Sequence, residues 1–218
     1  MINTVLFDLD GTLLDTAPDI GNALNELRQS LDMTPLPLSL IRPYVGYGSR
    51  DMLKFSFNVD ENHPRYTDLL ERFLHAYESH LTKTTVLFSG MDTVLNHLEK
   101  IGITWGIVTN KPSRFTFDIL KHLGLEHRAA CIICGDSLSK RKPEPDQIIH
   151  ACDLLKRAPA NTLYIGDTHI DVIASKAAGT QSLVALYGYI KADENPRTWN
   201  ADGYIEEPIG IIEWLAAI

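Results

Sequence analysis

Val5-Leu6-Phe7-Asp8-Leu9-Asp10-Gly11-Thr12-Leu13-Leu14-Asp15 is the stretch on which the fold turns. Val5 to Phe7 is a short apolar run, the pattern of a strand buried on both faces in a parallel sheet. It ends in two carboxylates one residue apart, then a glycine and a threonine. Acidic groups at the end of a buried strand are costly unless solvated, paired or metal-bound. In open α/β sheets the carboxyl ends of the strands form the ligand crevice. Asp8 and Asp10 are therefore expected to face a polar crevice that holds a cation, rather than the ordinary solvated turn that Asp-Gly marks elsewhere.

Outward from this stretch the pattern is helical. Ile20, Ala23, Leu24, Leu27 and Leu31 recur at three- and four-residue spacing, which predicts a helix over 16–31. Pro35, Pro37, Pro43, Gly46 and Gly48 mark a break. Further helices are expected from about Asp51 and over 67–81, with no strand between 16 and 85. From Gly90 onward helices alternate with apolar strands. Helices are expected over 91–100, 113–123, 146–155, up to Ala178 and over 209–215. Strands are expected over 103–108, 132–133, 162–165, 182–186 and, as a short edge, 204–205. Such alternation predicts an α/β fold with a doubly wound, Rossmann-like, mostly parallel sheet. Residues 1–15 and 86–218 would form the core and 16–85 a helical insert, with hinges near 15 and 85.

The formal charge of -8 and the lack of a basic stripe argue against nucleic acid as a partner. No stretch approaches the roughly 20 apolar residues of a membrane span. The chain enters its first strand without a charged leader, and its three cysteines form no disulfide framework. A cytoplasmic protein is expected, acting as a monomer or small homo-oligomer. Cys131 and Cys134 form a C-x-x-C without a second ligand pair and read as small hydrophobes beside a strand.

Three strands end in polar groups: Asp8, Asp10 and Thr12; Thr109 and Asn110; Gly166 and Asp167. Lys142 comes from a fourth segment. A parallel sheet brings such ends to one edge. Carboxylates, a hydroxyl, amides and one ammonium suit phosphoryl transfer on a hard cation such as Mg²⁺. One carboxylate can attack phosphorus while a second protonates the leaving oxygen and then activates water.

Asp8-x-Asp10-x-Thr12, Thr109, Lys142 and Gly166-Asp167-x-x-x-Asp171, in that order, resemble the four motifs of the haloacid dehalogenase-like phosphohydrolase superfamily. The resemblance covers essentially the whole chain. It implies that Asp8 is the nucleophile and a Mg²⁺ ligand. Asp10 would be the general acid/base, with its backbone carbonyl on the metal, and Asp167 the remaining protein ligand. Thr12 and Asp171 would support them, while Thr109, Asn110 and Lys142 hold the phosphoryl group. It also implies that the insert is a C1-type helical cap. Asp10 is an acid where the dehalogenase branch lacks one, which favours hydrolysis of phosphate esters. Asp8 to Thr16, Val108 to Pro112 and Lys142 to Pro145 resemble the phosphoglycolate phosphatase-like branch. Trp105 to Pro112, Tyr187 to Ile190 and Asn195 to Asp202 resemble the N-acetylmuramic acid 6-phosphate phosphatase group. The expected partner is a small phosphorylated metabolite, either of these two esters.

Glycines let a backbone approach a ligand, so Ser49 and Arg50, beside Gly46 and Gly48, are candidate specificity residues. Lys140 and Arg141 read as a solvated basic loop, Asp15 as a structural residue near the hinge, His169 as orientational or surface, and Tyr187, Tyr189 and Trp199 as packing. Two other readings share these motifs: a sugar-phosphate mutase of the β-phosphoglucomutase kind, and a non-catalytic binding module. The complete set of acids and lysine speaks against the second.

Overall fold

The computed structural model describes residues 1–218. Its main sheet has six parallel strands in the order β5-β4-β1-β6-β7-β8: β1 is Thr4–Phe7, β4 Thr104–Val108, β5 Ile132–Ile133, β6 Thr162–Gly166, β7 Gln181–Ala185 and β8 Gly203–Ile205. Successive side chains of a strand point to opposite faces, and both faces here are buried. Val5, Phe7, Ile107, Leu163 and Ile165 enter one apolar cluster, whereas Leu6, Val108 and Tyr164 enter the other. This explains why β1 reads as a continuous apolar run rather than an alternating one. Helices α5 (Met91–Lys100), α6 (Ser113–His122), α7 (Asp146–Leu155), α8 (His169–Ala178) and α9 (Gly210–Ala216) connect or flank these strands. Cys131 and Cys134 flank β5, buried and unpaired, as small hydrophobes.

Between β1 and β4 the chain runs through four helices: α1 (Ala17–Gln29), α2 (Leu38–Val45), α3 (Gly48–Phe57) and α4 (Tyr66–His80). They share a buried cluster of their own, built on Leu24, Leu27, Ile41, Leu53, Leu69 and Phe73, and joined by Phe115 and Tyr189. Two short strands, β2 (Leu14–Asp15) and β3 (Val86–Leu87), pair antiparallel where the chain leaves for these helices and where it returns.

The structure departs from the sequence expectation in three places. Residues 38–45 form a helix where Pro43 predicts a break. The proline removes one N–H but leaves Ile41 and Val45 buried, and in proteins such packing supplies most of a helix's stability. Helix α3 starts at Gly48 rather than near Asp51, so Ser49 and Arg50 lie in its first turn and not in a glycine loop. The β2–β3 ribbon was not expected, since two residues are too few to show a period.

Candidate active site

Strands β4, β1 and β6 are neighbours, so their carboxyl ends place Thr109, Asp8 and Asp167 side by side at the centre of the sheet edge. This is where the winding reverses direction, the usual crevice of such sheets. Gly11 has φ 88°, and a Cβ there or at Gly188 would overlap Asp167, so both loops can fold against its carboxylate only as glycine.

Lys142 is the hub. Its Nζ lies 2.8 Å from Asp8 Oδ1 and 2.7 Å from Asp171 Oδ1, and donates to the Tyr164 hydroxyl at 2.8 Å. Burial alone would lower its pKa, but Asp171 and Asp8 outweigh it and hold the ammonium above its ordinary value. Asp171 is used up structurally. Its Oδ1 takes Lys142 and Tyr164, and its Oδ2 takes the N–H and hydroxyl of Thr168, which caps α8. Asp167 is fully buried; its oxygens accept from the Thr12 hydroxyl at 3.0 Å and the Tyr189 N–H at 2.7 Å.

Carboxylate oxygens of Asp8, Asp167 and Asp171 lie within 4.8 Å of one another. Only Lys142 balances them. Burial, opposed by Lys142, pushes the Asp8 carboxyl up to about 6. Burial and then the charges of Asp8 and Asp171 push Asp167 well above the usual carboxylate range. Hard oxygen donors, buried and short of positive charge, are a donor set suited to a divalent cation. Since Asp171 is spent on Lys142 and the helix cap, Asp8 and Asp167 are the carboxylates that could hold one.

Asp10 stands apart from that cluster. Its two oxygens accept from Lys111 Nζ at 3.0 and 3.1 Å. Burial works against the Lys111 ammonium, yet Asp10 and then Tyr77 hold its pKa above the ordinary lysine value. The Thr109 hydroxyl accepts from the Lys111 N–H at 3.1 Å, and the Asn110 amide donates to the Lys142 carbonyl at 2.9 Å. Gln147, fully buried, ties the two loops together: it accepts from the Lys142 N–H and donates to the Thr109 and Cys134 carbonyls.

A cavity of about 550 Å³ opens above these groups. Asp8, Asp10, Thr109, Asn110 and Lys142 form its floor, and Ser49 and Arg50 lie on its opposite wall; Arg50 also pairs with Glu61 at 3.1 Å. Arg141 lines it too, although the sequence suggested a plain basic loop. Thr12, Asp167 and Asp171 do not line it and lie beneath the floor.

Lys111, Tyr77 and Gln147 were not singled out from the sequence. Only Lys111 carried a signal, as the cation directly after Thr109-Asn110. Tyr189 packs as expected but also bonds: its hydroxyl accepts from the Thr16 and Ala17 N–H groups at 2.8 and 2.9 Å and donates to Asp15 at 2.9 Å. Asp15 also takes Arg42 at 3.0 Å through each oxygen.

Residues 5–185 match the haloacid dehalogenase-like hydrolase family. The chain is 41% identical to the phosphoglycolate phosphatase of Xanthomonas campestris pv. campestris, over 94% of this chain and 92% of that protein. It is 35% identical to the N-acetylmuramic acid 6-phosphate phosphatase of Pseudomonas aeruginosa, over 98% and 95%. Among solved structures, that of a predicted phosphoglycolate phosphatase from Haemophilus somnus superposes with a TM-score of 0.87, covering 98% of each chain at 22% identity. No helix is long and apolar enough to cross a membrane.

Proposed function

The chain belongs to the haloacid dehalogenase-like hydrolase family, and within it we propose a Mg²⁺-dependent phosphomonoesterase that works through an aspartyl-phosphate on Asp8. The observation that carries this reading is the division of labour between two aspartates two residues apart. Asp8 faces the buried Lys142 and the acidic cluster, while Asp10 is held away from it by Lys111.

In this reading a bound Mg²⁺ would supply positive charge to the phosphoryl oxygens. Asp8 and Asp167, with the Asp10 carbonyl, are the groups that would hold it. The Thr109 hydroxyl, the Asn110 backbone N–H and the Lys142 ammonium bind the phosphoryl group and offset its repulsion of Asp8. Asp8 attacks phosphorus as the ester bond breaks. Asp10 gives a proton to the leaving oxygen, then takes one from the water that cleaves the aspartyl-phosphate. Asp171 orients Lys142, and Thr12 orients Asp167. Residues 16–85 act as a cap on the two linkers joined by the β2–β3 ribbon, with Ser49 and Arg50 on its substrate-facing side.

The cavity volume supports the larger of the two candidate esters. About 550 Å³ lies well inside the range that encloses a drug-sized ligand. Much of its wall is apolar, including Leu70, Phe73, Leu74 and Phe115. A two-carbon leaving group would leave most of that wall untouched, whereas an N-acetylated sugar acid would cover it. We therefore rank N-acetylmuramic acid 6-phosphate ahead of 2-phosphoglycolate.

The test is phosphate release from both esters, glucose 6-phosphate and several nucleotides, with Mg²⁺ and with chelator. Release from the amino-sugar ester should dominate and vanish on chelation. Chelator-insensitive release would remove the metal from the reading, and a stronger preference for phosphoglycolate would reverse the ranking.

A further inference from the structure

Tyr77 has a hydroxyl that the structure leaves without work. The residue sits on α4, is 4% exposed and lines the cavity, yet its O–H has no acceptor: the polar group that reaches its oxygen is the Lys111 ammonium, which can only donate. Its ring packs on Phe115 at 5.1 Å between centroids, and Lys111 Nζ lies 4.7 Å from its own centroid. That ammonium is the one bound to both oxygens of Asp10. A buried O–H with no acceptor is a desolvation penalty without return, and native proteins keep few of them.

A phenol is protonated at neutral pH, and burial pushes this one further up, to about 12, so it is a donor. A lysine has three donors. Asp10 engages two of them and the Tyr77 oxygen lies within reach of the third, so the donor left over is the Tyr77 O–H. Tyr77, Lys111 and Asp10 all line the same cavity.

We propose that Tyr77, set beside Lys111, forms a leaving-group subsite, whose O–H takes an oxygen acceptor carried by the substrate close to its ester oxygen. This rests on the phosphatase reading above, in which Asp10 protonates the leaving oxygen. Asp10 and Tyr77 contact the same ammonium and line the same cavity, so a leaving group held against Asp10 lies near the Tyr77 side chain. An oxygen substituent there, hydroxyl or carboxylate, completes the bond that the free protein lacks. An ester without such an oxygen leaves the phenol unpaired and is bound less well; a site built around an unpaired polar group discriminates in this way.

The experiment compares wild type with Tyr77→Phe on three esters: 2-phosphoglycolate for a carboxylate, glucose 6-phosphate for hydroxyls, and phenyl phosphate for a leaving group with no such acceptor. We expect Tyr77→Phe to cut the preference for the better oxygen-bearing ester over phenyl phosphate by roughly ten- to hundredfold, mostly through KM. The ester whose preference falls identifies which acceptor the subsite takes. The thermal midpoint of the variant should stay near that of wild type, because the lost O–H has no acceptor in the free protein and Lys111 keeps both Asp10 oxygens. Equal losses on all three esters, or a lowered midpoint, would make Tyr77 a packing residue and overturn the subsite. If wild type cleaves the esters and the preference does not move, the subsite alone fails. If wild type releases phosphate neither from these three nor from N-acetylmuramic acid 6-phosphate, the phosphatase reading fails and the subsite with it.

Discussion

At the scale of single residues, the site depends on how buried charge is shared out. Lys142 stands between two carboxylates and is itself only 3% exposed, so it holds its geometry through Asp171 even when Asp8 changes. Asp8→Asn keeps the shape and removes the attacking oxygen charge. Phosphate release should drop at least about 1,000-fold, as when other covalent nucleophiles are removed. The thermal midpoint should stay near that of wild type, because Asp171 still partners Lys142. Steady-state release and thermal unfolding check both, and a loss of only about tenfold would remove Asp8 as nucleophile. Asp8, Asp10, Thr109 and Asp167 are legible in the sequence because each sits at or just past the end of an apolar strand, whereas Lys142, in the loop between β5 and α7, is legible only through the family motif. Lys111, Tyr77 and Gln147 are not, because their meaning lies in partners far along the chain: Lys111 reaches Asp10 across 101 positions and Gln147 reaches Thr109 across 38. Tyr189 looked like packing because a buried tyrosine ring gives no sequence sign of where its hydroxyl points.

At the scale of elements, the two passages between the sheet and helices α1–α4 are pinned from different sides. Tyr189 holds the outgoing passage by bonding Asp15, Thr16 and Ala17. Asp19, in the first turn of α1, holds the returning one: it accepts from the N–H and hydroxyl of both Thr84 and Thr85, just before β3. Its position also suits the positive end of the helix dipole. Burial alone would raise the Asp19 pKa, but the bonds from Thr84 and Thr85 outweigh it and hold the carboxyl below its ordinary value. A depressed folded-state pKa means stability that is full above the unfolded value of about 3.9 and is lost as pH falls through the folded one. Asp19→Ala should therefore cost about 1–3 kcal/mol at neutral pH, through unpaired backbone and hydroxyl donors. The gap between variant and wild type should stay flat from pH 7 to about 5 and shrink below about 4. Urea unfolding at several pH values measures this, and a gap that widens in acid would contradict the assignment. Neither ribbon strand nor α2 was legible. The strands are two residues each, and α2 forms against Pro43 because burial of Ile41 and Val45 overrides local propensity.

At the scale of the whole molecule, helices α1–α4 meet the loop after β7 at a polar seam beside the cavity. Lys191 bonds Asp51 of α3 at 2.8 Å and lies 3.5 Å from the ring centroid of Tyr47, whose hydroxyl bonds Glu194. The pair is partly exposed, 18% and 35% at the two side chains. An exposed ion pair contributes about 0.2–1 kcal/mol and a surface cation–π contact about 0.5–1 kcal/mol. Their sum is near the 1.4 kcal/mol that shifts an equilibrium tenfold, so the seam can bias the proposed cap toward closure without locking it. Asp51 and Tyr47 both line the cavity, so bias at the seam is felt by whatever the cavity holds. Lys191→Met keeps the length of the side chain and removes the charge. It should raise KM several-fold on the preferred ester while leaving kcat equal to or above wild type, since opening also frees product. Salt separates this from a general loss of fit. Screening weakens an exposed pair, so raising ionic strength should raise the KM of wild type more steeply than that of Lys191→Met. The charged substrate is screened alike in both proteins, which leaves the difference between the two slopes as the contribution of the seam. Parallel slopes would mean that Lys191 stabilises the loop alone and takes no part in closure.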